Sequence, residues 1–274
     1  MGFHPVARAR LLRWVLLFVV LAVLIIGVAW WRINQLSKKP QSSTSTSPST
    51  SSSSAPITPA SFDKSLYSIN DPTSIWVVVN KGRVLPSSYV PSDLVVPNVS
   101  LGGSAASDNM HMRRSAAEAL EKLITAAGSE GLRIMIVSGY RSYGTQQLLY
   151  NGYVNTQGKA YADATSAQPG HSEHQTGLTA DLGVTTGKCQ LEACFGDTPE
   201  GKWLAANGHK YGFIIRYQKD KTSLTGYVYE PWHVRFVGVD LAAELNKTSQ
   251  KTMEQFFELP AYADYPATSY KLSQ

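Results

Sequence analysis

The run Ser172-Glu173-His174-Gln175-Thr176-Gly177-Leu178-Thr179-Ala180-Asp181 and the later Glu230-Pro231-Trp232-His233 supply two imidazoles, a ligand carboxylate and a further glutamate. A hydrolytic zinc site needs three protein ligands, a fourth position open to water, and a carboxylate to take that water's proton. His174, Asp181 and His233 are the candidate ligands, and Glu230 is the candidate base. His174 and Asp181 do not share a helical face. With Gly177 between them, their spacing suits a turn that leads into a strand. Pro231 disfavours a helix at Glu230 and pushes that residue toward an extended conformation, so the helical H-E-x-x-H arrangement is ruled out while its roles remain open. Asp181 could equally cap a turn, and Glu230 could be half of a surface ion pair. Spacing alone leaves both readings standing.

The surroundings must place such a site in a compartment. Residues 14–31 (WVLLFVVLAVLIIGVAWW) are apolar and free of charge, about long enough to span a bilayer as a helix. Arg8, Arg10 and Arg13 precede the stretch; Arg32, Lys38 and Lys39 follow it, so the charge bias across it is weak. A retained anchor is favoured over a cleaved signal peptide, whose apolar core would be shorter and followed by small residues rather than Trp-Trp-Arg. Residues 40–60 are almost wholly Ser, Thr and Pro, with nothing to bury, and predict a disordered tether. The expected order is a cytoplasmic N-terminus (1–13), a single membrane span (14–31), a tether (32–60) and an extracytoplasmic catalytic domain (61–274).

Charge divides in the same way. The six Lys/Arg named above are the only charged residues of the first sixty, which leaves 19 basic against 20 acidic residues in the remainder. The pI near 9.1 therefore belongs to the N-terminal segment and gives no support for nucleic-acid binding. Cys189 and Cys194 are the only cysteines. They suit a local disulfide in an oxidising exterior; no further cysteine is present to complete a structural zinc site, and free thiols would fit a cytoplasmic domain.

The elements that must position the chemistry read as α+β, since helices and short strands interleave without a regular βαβ rhythm. Strands are predicted at 74–80, 132–137, 213–215, 226–229 and 233–237, and helices at 112–130, from Ser142 or Thr145, at 203–211 and at 239–245. Residues 154–172 lack periodicity and are expected to form a long surface loop.

Ser138-Gly139-Tyr140-Arg141-Ser142, then Gln146, SEHQTGLTAD, Tyr211-Gly212-Phe213, EPWH and Arg235 follow one another in an order that resembles the VanY-type D-alanyl-D-alanine carboxypeptidases. The run is also similar to the related L,D-carboxypeptidases that trim peptidoglycan stem peptides. The resemblance implies a compact fold shared with the Hedgehog signalling domain, Zn²⁺ on His174, Asp181 and His233, and Glu230 as catalytic base. It further implies Arg141, Gln146 and Ser172 as substrate contacts. A guanidinium can hold a free C-terminal carboxylate through two parallel hydrogen bonds or stabilise a developing oxyanion. His171 is a candidate supporting residue, and Trp232 a wall of the site. His4, His111 and His209 receive no role. The segment with Cys189 and Cys194 does not match the family pattern.

Two other function classes compete. Ser61-x-x-Lys64, Ser107-Asp108-Asn109 and Lys221-Thr222-Ser223 approach the signature of penicillin-sensitive serine peptidases, but Ser61 abuts the tether, whereas that nucleophile must open a buried helix. A zinc-stabilised module that binds cell-wall peptides without cutting them would keep the ligands, yet has no need of Glu230.

Overall fold

The computed structural model describes residues 62–248 and 250–273, so the predicted anchor, the tether and Ser61 lie outside the described residues. Among the described residues no helix is long and apolar enough to cross a membrane. The chain runs β1 (Arg83–Val84), β2 (Leu94–Val95), β3 (Met112–Arg113), α1 (Arg114–Ser129), β4 (Ile134–Ser138), α2 (Tyr143–Gln157), α3 (Lys159–Thr165) and β5 (Thr179–Val184). It continues through α4 (Pro199–Asn207), β6 (Phe213–Tyr217), α5 (Thr222–Thr225), β7 (Glu230–Phe236), α6 (Val239–Lys247), α7 (Met253–Phe256) and β8 (Tyr270–Lys271).

Four antiparallel strands in the order β4-β5-β7-β6 form the central sheet. Alternation divides its residues between two faces. Ala180, Leu182, Val184, Val234 and Phe236 join Ala116, Ala117, Leu120, Leu123 and Ala127 of α1 in the main core. Asp181 and His233, of the opposite parity, project from the other face. A second apolar cluster gathers Trp76, Val78 and Ile214 with Leu241 and Leu245 of α6 and Met253 and Phe256 of α7. The result is the α+β architecture expected from the sequence.

Three predicted elements differ. Residues 74–80 join no strand ladder, although Trp76 to Val79 are fully buried. Their carbonyls are satisfied by buried guanidinium groups instead: Arg235 Nη2 donates to Ile75 O and Val77 O, and Arg83 Nε to Val78 O. The expected loop at 154–172 is largely helical, with α2 running to Gln157 and α3 beginning after Gly158. These helices bury only Gln146, Tyr150 and Ala162, so they carry no apolar stripe for periodicity to reveal. Residues 226–229 are not a strand; α5 ends in the left-handed Gly226, and Tyr227 packs against Tyr217 with ring centroids 4.7 Å apart.

Candidate active site

Strand register builds the centre. Asp181 of β5 lies directly opposite His233 of β7, so their side chains emerge side by side on one face. The two outer strands are irregular where they meet this row. Between Ile136 and Ser138 the β4 register shifts, which brings Ser138 opposite Asp181. The β6–β7 register shifts between Ile215 and Tyr217, so Tyr217 pairs with Glu230 and Pro231 falls at the irregularity, where its missing N–H costs no ladder bond. Glu230 is thus extended, as Pro231 predicts from the sequence.

His174 arrives on the 3-10 turn Glu173–Thr176, which ends in the left-handed Gly177 (φ 68°) before β5. A Cβ at Gly177 would lie 2.9 Å from Arg113 Cγ, so the bend is reserved for glycine by both dihedral and space. The turn is clasped by the loop after β4. His174 Nδ1 meets Gly139 O at 2.6 Å, and Arg141 N donates to His174 O at 3.2 Å. With Nδ1 engaged as donor, Nε2 of His174 is left as the free lone pair.

The ligand atoms of His174, Asp181 and His233 lie within 4.8 Å of one another, and all three residues are buried. His174 Nε2 stands 3.3 Å from Asp181 Oδ2, and His233 Nδ1 stands 3.3 Å from Asp181 Oδ1. Asp181 Oδ1 is buried without a hydrogen-bond donor in proper geometry. An oxygen left so between two imidazoles is what a cation would satisfy, and a two-nitrogen, one-carboxylate donor set suits zinc. Cys189, Glu192 and Cys194 also cluster, but the two sulfurs are joined in a disulfide and are not free to ligate.

Glu230 Oε2 is 3.5 Å from His233 Nδ1. Burial pushes its carboxyl up to about 8, opposed by the positive charge of His233 and Arg141 and reinforced by Asp181. A dication in the centre would pull it back toward the ionised form that a base requires. Burial disfavours charge on His233, but the carboxylates of Asp181 and Glu173 at its two ring nitrogens more than offset it, raising the imidazole to about 9. Burial opposes ionisation of Asp181 too, and is outweighed by the two imidazoles that flank it, His174 and His233, which hold it well below the usual carboxylate range.

Arg141 Nη2 bonds Ser138 Oγ at 3.0 Å and lies 3.9 Å from Asp181 Oδ2, while Nη1 donates to Gln146 Oε1 at 2.9 Å. Gln146 is fully buried, and its Nε2 donates to Ser166 Oγ (3.1 Å) and Ala167 O (2.6 Å). Its amide therefore stands behind the guanidinium and fixes it. Gln146→Ala should raise KM about tenfold, the scale of one charge-assisted hydrogen bond, with little change in kcat. An unchanged KM in steady-state kinetics would remove Gln146 from the site.

The three candidate ligands, Glu230 and Arg141 line a cleft of about 1170 Å³ together with Ser172 and half-buried Trp232, whereas Gln146, expected as a substrate contact, does not reach it. Tyr153 and Tyr161, from α2 and α3, form part of its wall, and Leu191 to Ala193 of the disulfide loop another part. His171 is turned away, its Nδ1 2.8 Å from Asn80 O. His111 is bonded to Ser107 O, and neither it nor His209 borders the cleft. The serine-peptidase fragments do not converge. Lys64 pairs with Glu258 at 3.0 Å and is absent from the cleft wall, as is Lys221, whereas Ser107 to Asn109 line it.

Sequence reading gave Glu173 no role. Its side chain is fully buried; Oε1 accepts from Arg216 Nε and Arg235 Nη1, each at 2.8 Å, and Oε2 faces His233 Nε2 at 3.5 Å. Burial would raise its pKa, but the two guanidinium groups and His233 hold it well below the usual range. The sequence places it beside His174, but its two arginine partners come from the paired strands β6 and β7. Only the fold joins them.

Comparison with known proteins identifies the family. A family model described as VanY, D-alanyl-D-alanine carboxypeptidase, matches residues 109–239. YodJ of Bacillus subtilis (strain 168) is 42% identical over 193 residues, 70% of either chain. The solved LD-carboxypeptidase LdcB is 42% identical with a TM-score of 0.64, covering 68% of this chain and 87% of its own. A glutamate-to-alanine mutant of the vancomycin-resistance D,D-pentapeptidase VanY, solved in complex with Zn(II), is 29% identical with a TM-score of 0.54, covering 66% and 97%. Zinc is thus the cofactor, and the His/Asp cluster found here is the candidate site for it. With its α+β sheet, its buried His/Asp cluster and these relatives together, the chain belongs to the VanY family of zinc carboxypeptidases.

Proposed function

We propose that the chain removes a C-terminal D-alanine from peptidoglycan stem peptides, with zinc held by His174, Asp181 and His233. The observation that carries this reading is Glu230, a buried carboxyl 3.5 Å from His233 Nδ1 and facing the same cleft as all three ligands. A module that only bound peptides would gain nothing from burying an acid there. When bound, zinc supplies a Lewis acid that polarises the scissile carbonyl and acidifies water. Glu230 takes the proton of the attacking water and delivers it to the leaving amine. Arg141, held by Ser138 and Gln146, presents its guanidinium toward the centre and receives the substrate's terminal carboxylate, with Ser172 as a further contact on the cleft wall.

The higher identity to the LD-carboxypeptidase LdcB (42%) than to the D,D-pentapeptidase VanY (29%) favours the stem tetrapeptide as substrate. The domain is proposed to work outside the cell membrane, held by the apolar segment 14–31 and extended on the Ser/Thr/Pro-rich tether. The Cys189–Cys194 disulfide supports an oxidising exterior. Mass spectrometry of the protein incubated with stem tetrapeptide and pentapeptide, with and without chelator, tests this reading. Loss of one alanine from the tetrapeptide, abolished by chelation and restored by zinc, is expected. Cleavage of the pentapeptide alone would reassign the specificity, and cleavage of neither by zinc-loaded protein would leave a binding module.

A further inference from the structure

We propose that Glu173 is a positioning residue of the metal centre, a buried carboxylate that accepts a hydrogen bond from the Nε2–H of His233, keeps the proton on that nitrogen and so leaves the Nδ1 lone pair facing the metal. The inference rests on His233 being a ligand. His233 can use one ring nitrogen for a metal, and the other then carries the proton. Nδ1 faces Asp181 Oδ1 (3.3 Å) and Glu230 Oε2 (3.5 Å), which is the side of the centre. Nε2 is buried on the opposite side without a hydrogen bond in proper geometry, and the carboxylate standing there is Glu173 Oε2 at 3.5 Å. Thr179 Oγ1, also at 3.5 Å, is the other donor reaching that oxygen.

Glu173 is itself immobilised. Arg216 and Arg235 occupy Oε1, and Arg216 is held in turn by both oxygens of Glu254, at 2.9 and 2.6 Å. Asn80 Nδ2 also donates to Glu254 Oε1 (3.0 Å). All four charged side chains are at most 1% exposed, and the set is neutral, with two carboxylates against two guanidinium groups. Because the arginines consume Oε1, the carboxylate cannot rotate away from His233 without breaking two charge-assisted bonds. Its free oxygen is thereby aimed at one ring edge. Ligand histidines generally hand their second N–H to such a carboxylate, which fixes the ring and raises its basicity.

Long-range ¹H–¹⁵N spectra of the zinc-loaded protein, with ¹⁵N-labelled histidine, read the tautomer directly. A His233 protonated at Nε2 and ligated through Nδ1, with that proton slow to exchange, is expected; ligation through Nε2 would overturn the proposal without any variant. Glu173→Asp supplies the second arm. It keeps the charge that Arg216 and Arg235 require but shortens the side chain by one methylene. Zinc affinity, measured by competition with a chromogenic chelator, should weaken about 10- to 100-fold while the metal-free protein stays folded at the assay temperature. Unchanged affinity in a folded Glu173→Asp protein would likewise sink the idea. Neither arm needs a cleaved peptide, so a protein that bound zinc but cut nothing would fail the proposed function and still decide the role of Glu173.

Discussion

Glu230→Gln is expected to lower kcat by about 10²- to 10⁴-fold, the usual contribution of a positioned general base, while zinc content and peptide affinity stay at wild-type levels. The amide keeps the shape of the acid and removes only its ability to accept a proton. It should also fold at least as well. Burial raises the Glu230 carboxyl to about 8 in the metal-free protein, above its ordinary value of 4.5, so the folded state binds this proton more tightly than the unfolded chain does. Stability linked to it is full below pH 4.5 and is lost as pH rises through about 8. Glutamine has no such dependence. Metal-free Glu230→Gln should therefore melt higher than metal-free wild type, with a gap that widens across that window. Single-turnover kinetics and thermal melts at several pH values measure the two effects. Hydrolysis within tenfold of wild type would dismiss Glu230 as the base.

The candidate site was legible because its parts lie in two short runs. His174 and Asp181 share one, Glu230 and His233 the other, and the bend at Gly177 and the extended Glu230 both follow from local rules for glycine and proline. That Asp181 faces His233 across a strand pair is a matter of register, which no single segment encodes. The same limit hid Glu173, whose partners Arg216, Arg235 and His233 sit on two other strands. The misread elements failed for related reasons. Residues 74–80 have the composition of a strand, yet their carbonyls found Arg235 and Arg83, which only the folded chain brings near. The helices within 143–165 look patternless because they bury a glutamine, a tyrosine and an alanine instead of an apolar face.

Withdrawing zinc should abolish hydrolysis completely, yet leave the protein folded, and the affinity that governs this should climb with pH. The sheet is held by its apolar cores, which contain no metal ligand, so the fold does not need the ion as a keystone. With free zinc at 1,000 times its Kd, binding adds about 4 kcal/mol. Chelation should then lower Tm by roughly 8–16 °C for a domain of this size. In the metal-free centre His233 is raised to about 9, so at neutral pH it carries a proton that a ligand cannot keep on Nδ1. Loading therefore expels at least one proton, and affinity should rise about tenfold per pH unit until it levels above about pH 9. Calorimetry in buffers of different ionisation enthalpy would count the protons, and chelator competition from pH 6 to 9 would give the slope. An affinity indifferent to pH would mean that His233 is already neutral in the empty centre, and that Asp181 and Glu173 do not hold its proton.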